Sequence, residues 1–98
     1  VTEIAYITID PARAVAFEAA VAKAAPYFKA AQGCHGARLE RVEEDEALYR
    51  LSVDWESVDH HMVTFRQSDG FQQWRALAGP FFVEPPKVEH WNRVSNFF

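Results

Sequence analysis

Apolar residues along this chain follow two rhythms, an alternation of two and a helical repeat, and the places where one gives way to the other mark its elements. Thr2 to Ile9 (TEIAYITI) is β-branched and aromatic with apolar residues on both parities, which suits a central strand covered on at least one face. Asp10 and Pro11 then supply a helix cap and a first helical position where a missing N–H does no harm. The helix that follows carries Phe17, Ala20, Val21, Ala24, Phe28 and Ala31 on one line, with Arg13, Glu18 and Lys23 on the other face. Pro26 lies inside that pattern, where it removes a backbone hydrogen bond and crowds the preceding turn, so a kink or a break into two helices is expected. Gly33 ends the run.

After a Gly33 to Gly36 connector, Ala37 to Val42 reads as a modest strand and Glu43 to Glu46 as a solvated turn. Leu48 to Trp55 alternates cleanly, with Tyr49, Leu51, Val53 and Trp55 on one side, so the two strands form a hairpin. Ser57 caps a helix whose inner face takes Val58, His61, Met62 and Phe65. His60 is turned about 100° away, to the edge or to solvent. Asp69 with Gln72 opens a further helix that buries Phe71, Trp74 and Ala78. Gly79-Pro80 stops it, Phe81-Phe82 forms an apolar plug, and Val88 to Val94 makes a last strand. The final Phe97 and Phe98 suit a contact with a partner subunit. The order is strand, helix, strand, strand, helix pair, strand: an α+β, ferredoxin-like βαββαβ plan with an antiparallel sheet.

Length and charge narrow the function. The 98 residues make one domain, 1–98, small enough to gain from oligomerisation, so a dimer is expected. Ten Lys and Arg against fourteen Asp and Glu, with no basic patch, argue against nucleic acid. The lone Cys34 forms no intrachain disulfide, and no signal peptide or membrane-length apolar run is read; no membrane contact and a cytoplasmic location are expected.

His61 is the candidate general base, because an imidazole on an apolar helix face titrates near neutrality and burial keeps it neutral and able to accept a proton. The competing reading is a core histidine satisfied by a hydrogen bond. Trp55, Phe65, Trp74 and Phe82, with Phe71 and Phe81, suit a flat pocket for a small aromatic molecule, and are equally at home in an ordinary core. Tyr6 offers a hydroxyl to orient that substrate, and Arg75 a charge for an anionic group. Adjacent His60 and His61 cannot converge on one metal from a regular helix, so no metal is expected; His35 and His90 are left open as spatial neighbours of His61.

The stretches GCHGARLERV, VDWES, SDGFQQW and PPKVEHW, with His61 between the second and third, resemble the antibiotic biosynthesis monooxygenase domain family of the dimeric α+β barrel superfamily. That resemblance implies a homodimer with face-to-face sheets and a pocket in each subunit between sheet and helices. It also implies one of several chemistries: cofactor-free oxidation of quinols and polycyclic anthrone-like phenols, haem degradation, or isomerisation of a signalling sugar phosphate. His61 matches a histidine frequent six positions after the strand-end tryptophan, while Thr64 and Gly70 stand where other frequent histidines would be. The haem-degrading branch uses a first-strand asparagine, which this chain lacks, and a tryptophan and a histidine where Phe65 and Arg75 stand. The expectation is a monooxygenase with no cofactor, using His61 on a quinol or phenolic substrate with O₂. A non-catalytic dimer that binds a small hydrophobe, or is associated with stress, is the alternative, alongside an isomerase of a small carbonyl compound.

Overall fold

The computed structural model describes residues 1–98, and in it the alternating stretches pair into one four-stranded antiparallel sheet. The strands are β1 (Thr2–Thr8), β2 (Cys34–Arg41), β3 (Leu48–Trp55) and β4 (Lys87–Trp91), in the spatial order β2-β3-β1-β4. Two helices, α1 (Ala14–Lys29) and α2 (Asp69–Ala78), make the crossovers of the α+β ferredoxin-like plan expected from the sequence. No helix is long and apolar enough to cross a membrane.

The pleat decides what the core receives. On β1, Ala5 and Ile7 stand opposite Leu51 and Tyr49 of β3, and all four are buried. Phe17 of α1 fills the space above them, edge-on to Tyr49 at 5.0 Å and to Phe81 at 5.9 Å between ring centroids. Phe28, further along α1, lies between Phe65 at 5.0 Å and Trp74 at 5.3 Å and so ties both helical segments to one cluster. Burying each such ring stabilises the fold by roughly 1.5–3 kcal/mol. The opposite face of the sheet carries Thr2, Ile4 and Tyr6 beside Asp54, Ser52 and Arg50 of β3 and Trp91, Glu89 and Lys87 of β4.

Several local expectations change. Asp10 caps a 3-10 turn, Pro11–Arg13, by accepting the Ala12 N–H at 3.0 Å, and α1 begins only at Ala14. Pro26 causes no break: α1 runs through it to Lys29, because near the C-terminus a proline removes only one amide donor while Ala24 and Phe28 remain anchored in the core. β2 starts earlier, at Cys34, with a bulge between Cys34 and Gly36, and β4 is shorter, ending at Trp91. The segment after Ser57 is a π-helical turn, His60–Phe65, whose signature bond runs from Arg66 N–H to the His61 carbonyl at 3.3 Å. Its wider turn buries His61 and Phe65 but leaves Val58 and Met62 exposed, so the four-residue inner face reduces to two.

Candidate active site

Ser57 fixes the start of the π turn. Its hydroxyl accepts the His60 backbone N–H at 3.2 Å and shares a hydrogen bond with His60 Nδ1 at 2.7 Å. The His60 ring lies over Gly33, which has φ +79° and whose missing Cβ would stand 2.5 Å from His60 Cδ2. With His60 held at this edge, the next residue, His61, points to the sheet and is 3% exposed.

There His61 meets two side chains from opposite ends of the chain. Glu3 on β1 and His90 on β4 are direct partners across the antiparallel pair, and both reach the imidazole. His61 Nδ1 lies 2.9 Å from His90 Nε2, and His61 Nε2 lies 3.3 Å from Glu3 Oε1. Trp55 Nε1 donates to the same Glu3 oxygen at 2.9 Å while its indole stacks on His61, 5.5 Å between centroids and 16° from parallel. With Glu3 ionised, an oxygen that only accepts requires the His61 proton on Nε2, so His90 donates from Nε2 to His61 Nδ1. The His90 and His61 N–H groups thereby form a two-step relay that ends at Glu3 Oε1, and the Trp55 N–H reaches the same oxygen from a separate direction.

Burial dominates the electrostatics. It pushes the Glu3 carboxyl up to about 7, although the Trp55 N–H and the Arg66 charge pull the other way. Burial pulls His61 down to about 4, helped by His90 and Arg66. At neutral pH the imidazole is therefore neutral, and the group changing its charge is the carboxylate.

Glu3 and His61 form part of the wall of an open cavity of about 660 Å³ between sheet and helices. Its apolar sides come from Phe71, Trp74, Phe82 and Val88, and Arg66, Arg75 and Glu84 also face it. Trp74 and Phe82 thus lie where the sequence suggested, packed on each other at 6.2 Å. Trp55 and Phe65 stand behind the wall, in contact with each other at 5.2 Å, and support the site without lining it. Tyr6 is not brought to this cavity, because the pleat turns alternate residues of β1 to opposite faces, and Glu3 and Ala5 hold the inner one. Tyr6 instead lines a smaller hollow of about 330 Å³ with Glu40, Tyr49 and Arg50. His35 is also remote, paired on the surface with Glu56 at 3.1 Å. No group of three or more His, Cys, Asp or Glu side chains is arranged to hold a metal ion.

Glu3 is the residue that sequence reasoning missed. Its one signal was a lone acid in an otherwise apolar and β-branched strand.

The family model for antibiotic biosynthesis monooxygenases matches residues 1–77. The chain belongs to the antibiotic biosynthesis monooxygenase family. The matched stretch contains Glu3, Trp55 and His61 and stops before β4, so His90 lies outside it. A Bordetella bronchiseptica protein, provisionally described as an antibiotic biosynthesis monooxygenase, is 53% identical, with a TM-score of 0.93 and 96% of each chain covered. The uncharacterized Bacillus subtilis protein YczJ is 34% identical over 94 residues, 96% of this chain and 99% of that one. SnoaB from Streptomyces nogalater, described as a cofactor-independent oxygenase, shares the fold at a TM-score of 0.76 and 18% identity, over 98% of this chain and 94% of its own.

Proposed function

We propose that this family member is a monooxygenase that oxidises a quinol, a phenol or a polycyclic aromatic carbon acid with O₂ and needs no cofactor. The observation that carries the reading is Glu3, a carboxyl titrating near 7 in an aromatic-walled cavity and bonded to the His61 imidazole. A base with a pKa near the working pH is the most effective one. His61, expected from the sequence to be the base, is held near 4 and is the weaker candidate; it orients the carboxylate and links it to His90. SnoaB is described as cofactor-independent on the same fold, which makes such chemistry a reasonable expectation for this chain.

For an anthrone-like substrate the steps balance without an added reductant. Glu3 takes a proton from the ring CH₂, and the resulting anion gives one electron to O₂. Superoxide and the substrate radical combine into a C–O bond, and the peroxide takes the proton back from Glu3. Glu3 then removes the second hydrogen of that carbon while the O–O bond breaks; hydroxide leaves, receives that proton and departs as water, and the CH₂ has become C=O.

The test is O₂ uptake with anthrone and menadiol by the wild type, Glu3→Gln and His61→Ala. Loss of roughly 10²–10⁴-fold in rate for Glu3→Gln is expected. Equal rates in wild type and Glu3→Gln would overturn the assignment of the base. Turnover of a carbonyl substrate without O₂ would favour an isomerase, and tryptophan quenching by ligand with no turnover a binding protein. The same proposal has two copies associating through the sheet face opposite the cavity, where Trp91 is 56% exposed and the buried Ser52 hydroxyl has no hydrogen-bond partner.

A further inference from the structure

Two arginines of this cavity neither give nor take the proton in that chemistry. Arg66, at the end of the π turn, and Arg75 of α2 both face the cavity, and neither makes a salt bridge or donates a side-chain hydrogen bond within the chain. Arg75 has its guanidinium 5.8 Å from the centre of the Phe71 ring, which itself lines the cavity. The other arginine of the helical half shows the contrast: Arg13 donates to the Pro80 carbonyl at 3.3 Å and caps the Phe81 ring at 4.2 Å. Of the two carboxylates in the wall, Glu3 is engaged with Trp55 and His61, and Glu84 accepts a bond from the Thr8 hydroxyl at 3.4 Å.

We infer that the cavity selects aromatic substrates that carry an anionic group, a carboxylate above all, held by Arg66 and Arg75 while the acidic C–H or O–H of the ring meets Glu3. The inference rests on reading this cavity as a substrate pocket. Guanidinium groups match a planar carboxylate with paired donors, and the Phe71, Trp74 and Phe82 rings fit the flat body of the same molecule. A cavity of about 660 Å³ is large enough for two or three fused rings with one substituent. The arrangement also couples binding to proton abstraction. Arg66 lowers the proton affinity of both Glu3 and His61, so a bound anion that neutralises Arg66 makes Glu3 a stronger base when substrate is present. A neutral substrate would leave that charge in place.

Binding and turnover are measured separately. Quenching of tryptophan fluorescence gives the affinity for 1-hydroxy-2-naphthoate and for 1-naphthol, matched rings with and without the carboxylate. O₂ uptake is compared between 1,4-dihydroxy-2-naphthoate and 1,4-naphthohydroquinone. The variants are Arg66→Gln and Arg75→Gln, both at exposed positions, with Lys23→Gln on the outer face of α1 as a control for lost charge. The expected result is that the wild type binds the carboxylate about tenfold or more tighter, that each arginine variant loses most of this preference, and that affinity for 1-naphthol and the behaviour of Lys23→Gln stay unchanged. The preference should also shrink as salt is raised. Equal affinity for the two ligands, equal loss of both in the arginine variants, or no binding of either overturns the inference. Arginine-dependent preference without O₂ uptake on either quinol keeps the anion site and removes the oxygenase reading; O₂ uptake with no preference does the reverse.

Discussion

Glu3, His61 and His90 are unremarkable one at a time and informative only as a set. The carboxyl is 6% exposed and titrates near 7, while the imidazole beside it is 3% exposed and titrates near 4. Their effects on stability have opposite signs. Glu3 is raised from 4.5, so its contribution is full below about 4.5 and is lost as pH rises through 7; His61 is lowered from 6.5, so its contribution is present above 6.5 and is lost as pH falls through 4. Each is worth on the order of 3 kcal/mol, and between about 4.5 and 6.5 they offset one another. Thermal melts of the wild type should therefore change little across that window. In Glu3→Gln only the His61 effect remains, and its melting temperature should climb from pH 4 to 6.5; a flat profile in the variant would refute the assignment of the two groups. The histidine was legible in the sequence because it fell on a helical face with Phe65. The acid was not, because nothing in TEIAYITI says which parity of the strand faces a cavity.

At the scale of elements, the deciding device is the π turn of His60–Phe65. A regular α-helix from Ser57 would have put Val58 and Met62 inward with His61; the extra residue in the turn exposes both and leaves His61 and Phe65 as the inward pair. Gly33 is what permits it, since its backbone passes directly under the His60 ring with φ +79°. Gly33→Ala should lower stability by roughly 2 kcal/mol, because the new Cβ adds a left-handed strain and collides with that ring. Chemical denaturation reads the change, and a variant as stable as the wild type would show that the π turn is not held from below. Hydrophobic spacing located this segment and its two ends, but a period fitted to i, i+3, i+4 and i+7 cannot register one inserted residue. Pro26 teaches the same lesson in reverse: its local rule holds, yet Phe28 and Ala24 keep α1 whole.

For the whole molecule, the sheet has one face covered by helices and a second on which Ile4 and Ser52 are buried within the chain while Trp91 stands exposed. The helices bury the first; on the second, Tyr6, Trp91 and the partnerless Ser52 hydroxyl lie within one antiparallel array. Burial of that array by a second copy would remove an exposed aromatic surface and is the reason to expect a dimer. Light scattering after size exclusion should give twice the 11.2 kDa chain mass, and Trp91→Lys should shift the population toward the single chain. A monomer mass for the wild type at micromolar concentration would refute it. Tyr6, expected in the substrate pocket, belongs to this outer face.

The sequence by itself determined the strands, the two helices, the fold class and one inward histidine, because each of these follows from periodicity and caps within a dozen or so residues. Tertiary structure alone decided the chemistry of the site. Residues 3, 61 and 90 meet because β4 pairs with β1 so that Glu3 stands opposite His90, and because a π turn lowers His61 onto both. Register between distant strands and the burial that moves a carboxyl to about 7 are properties of the assembled sheet, and no local pattern in the chain encodes them.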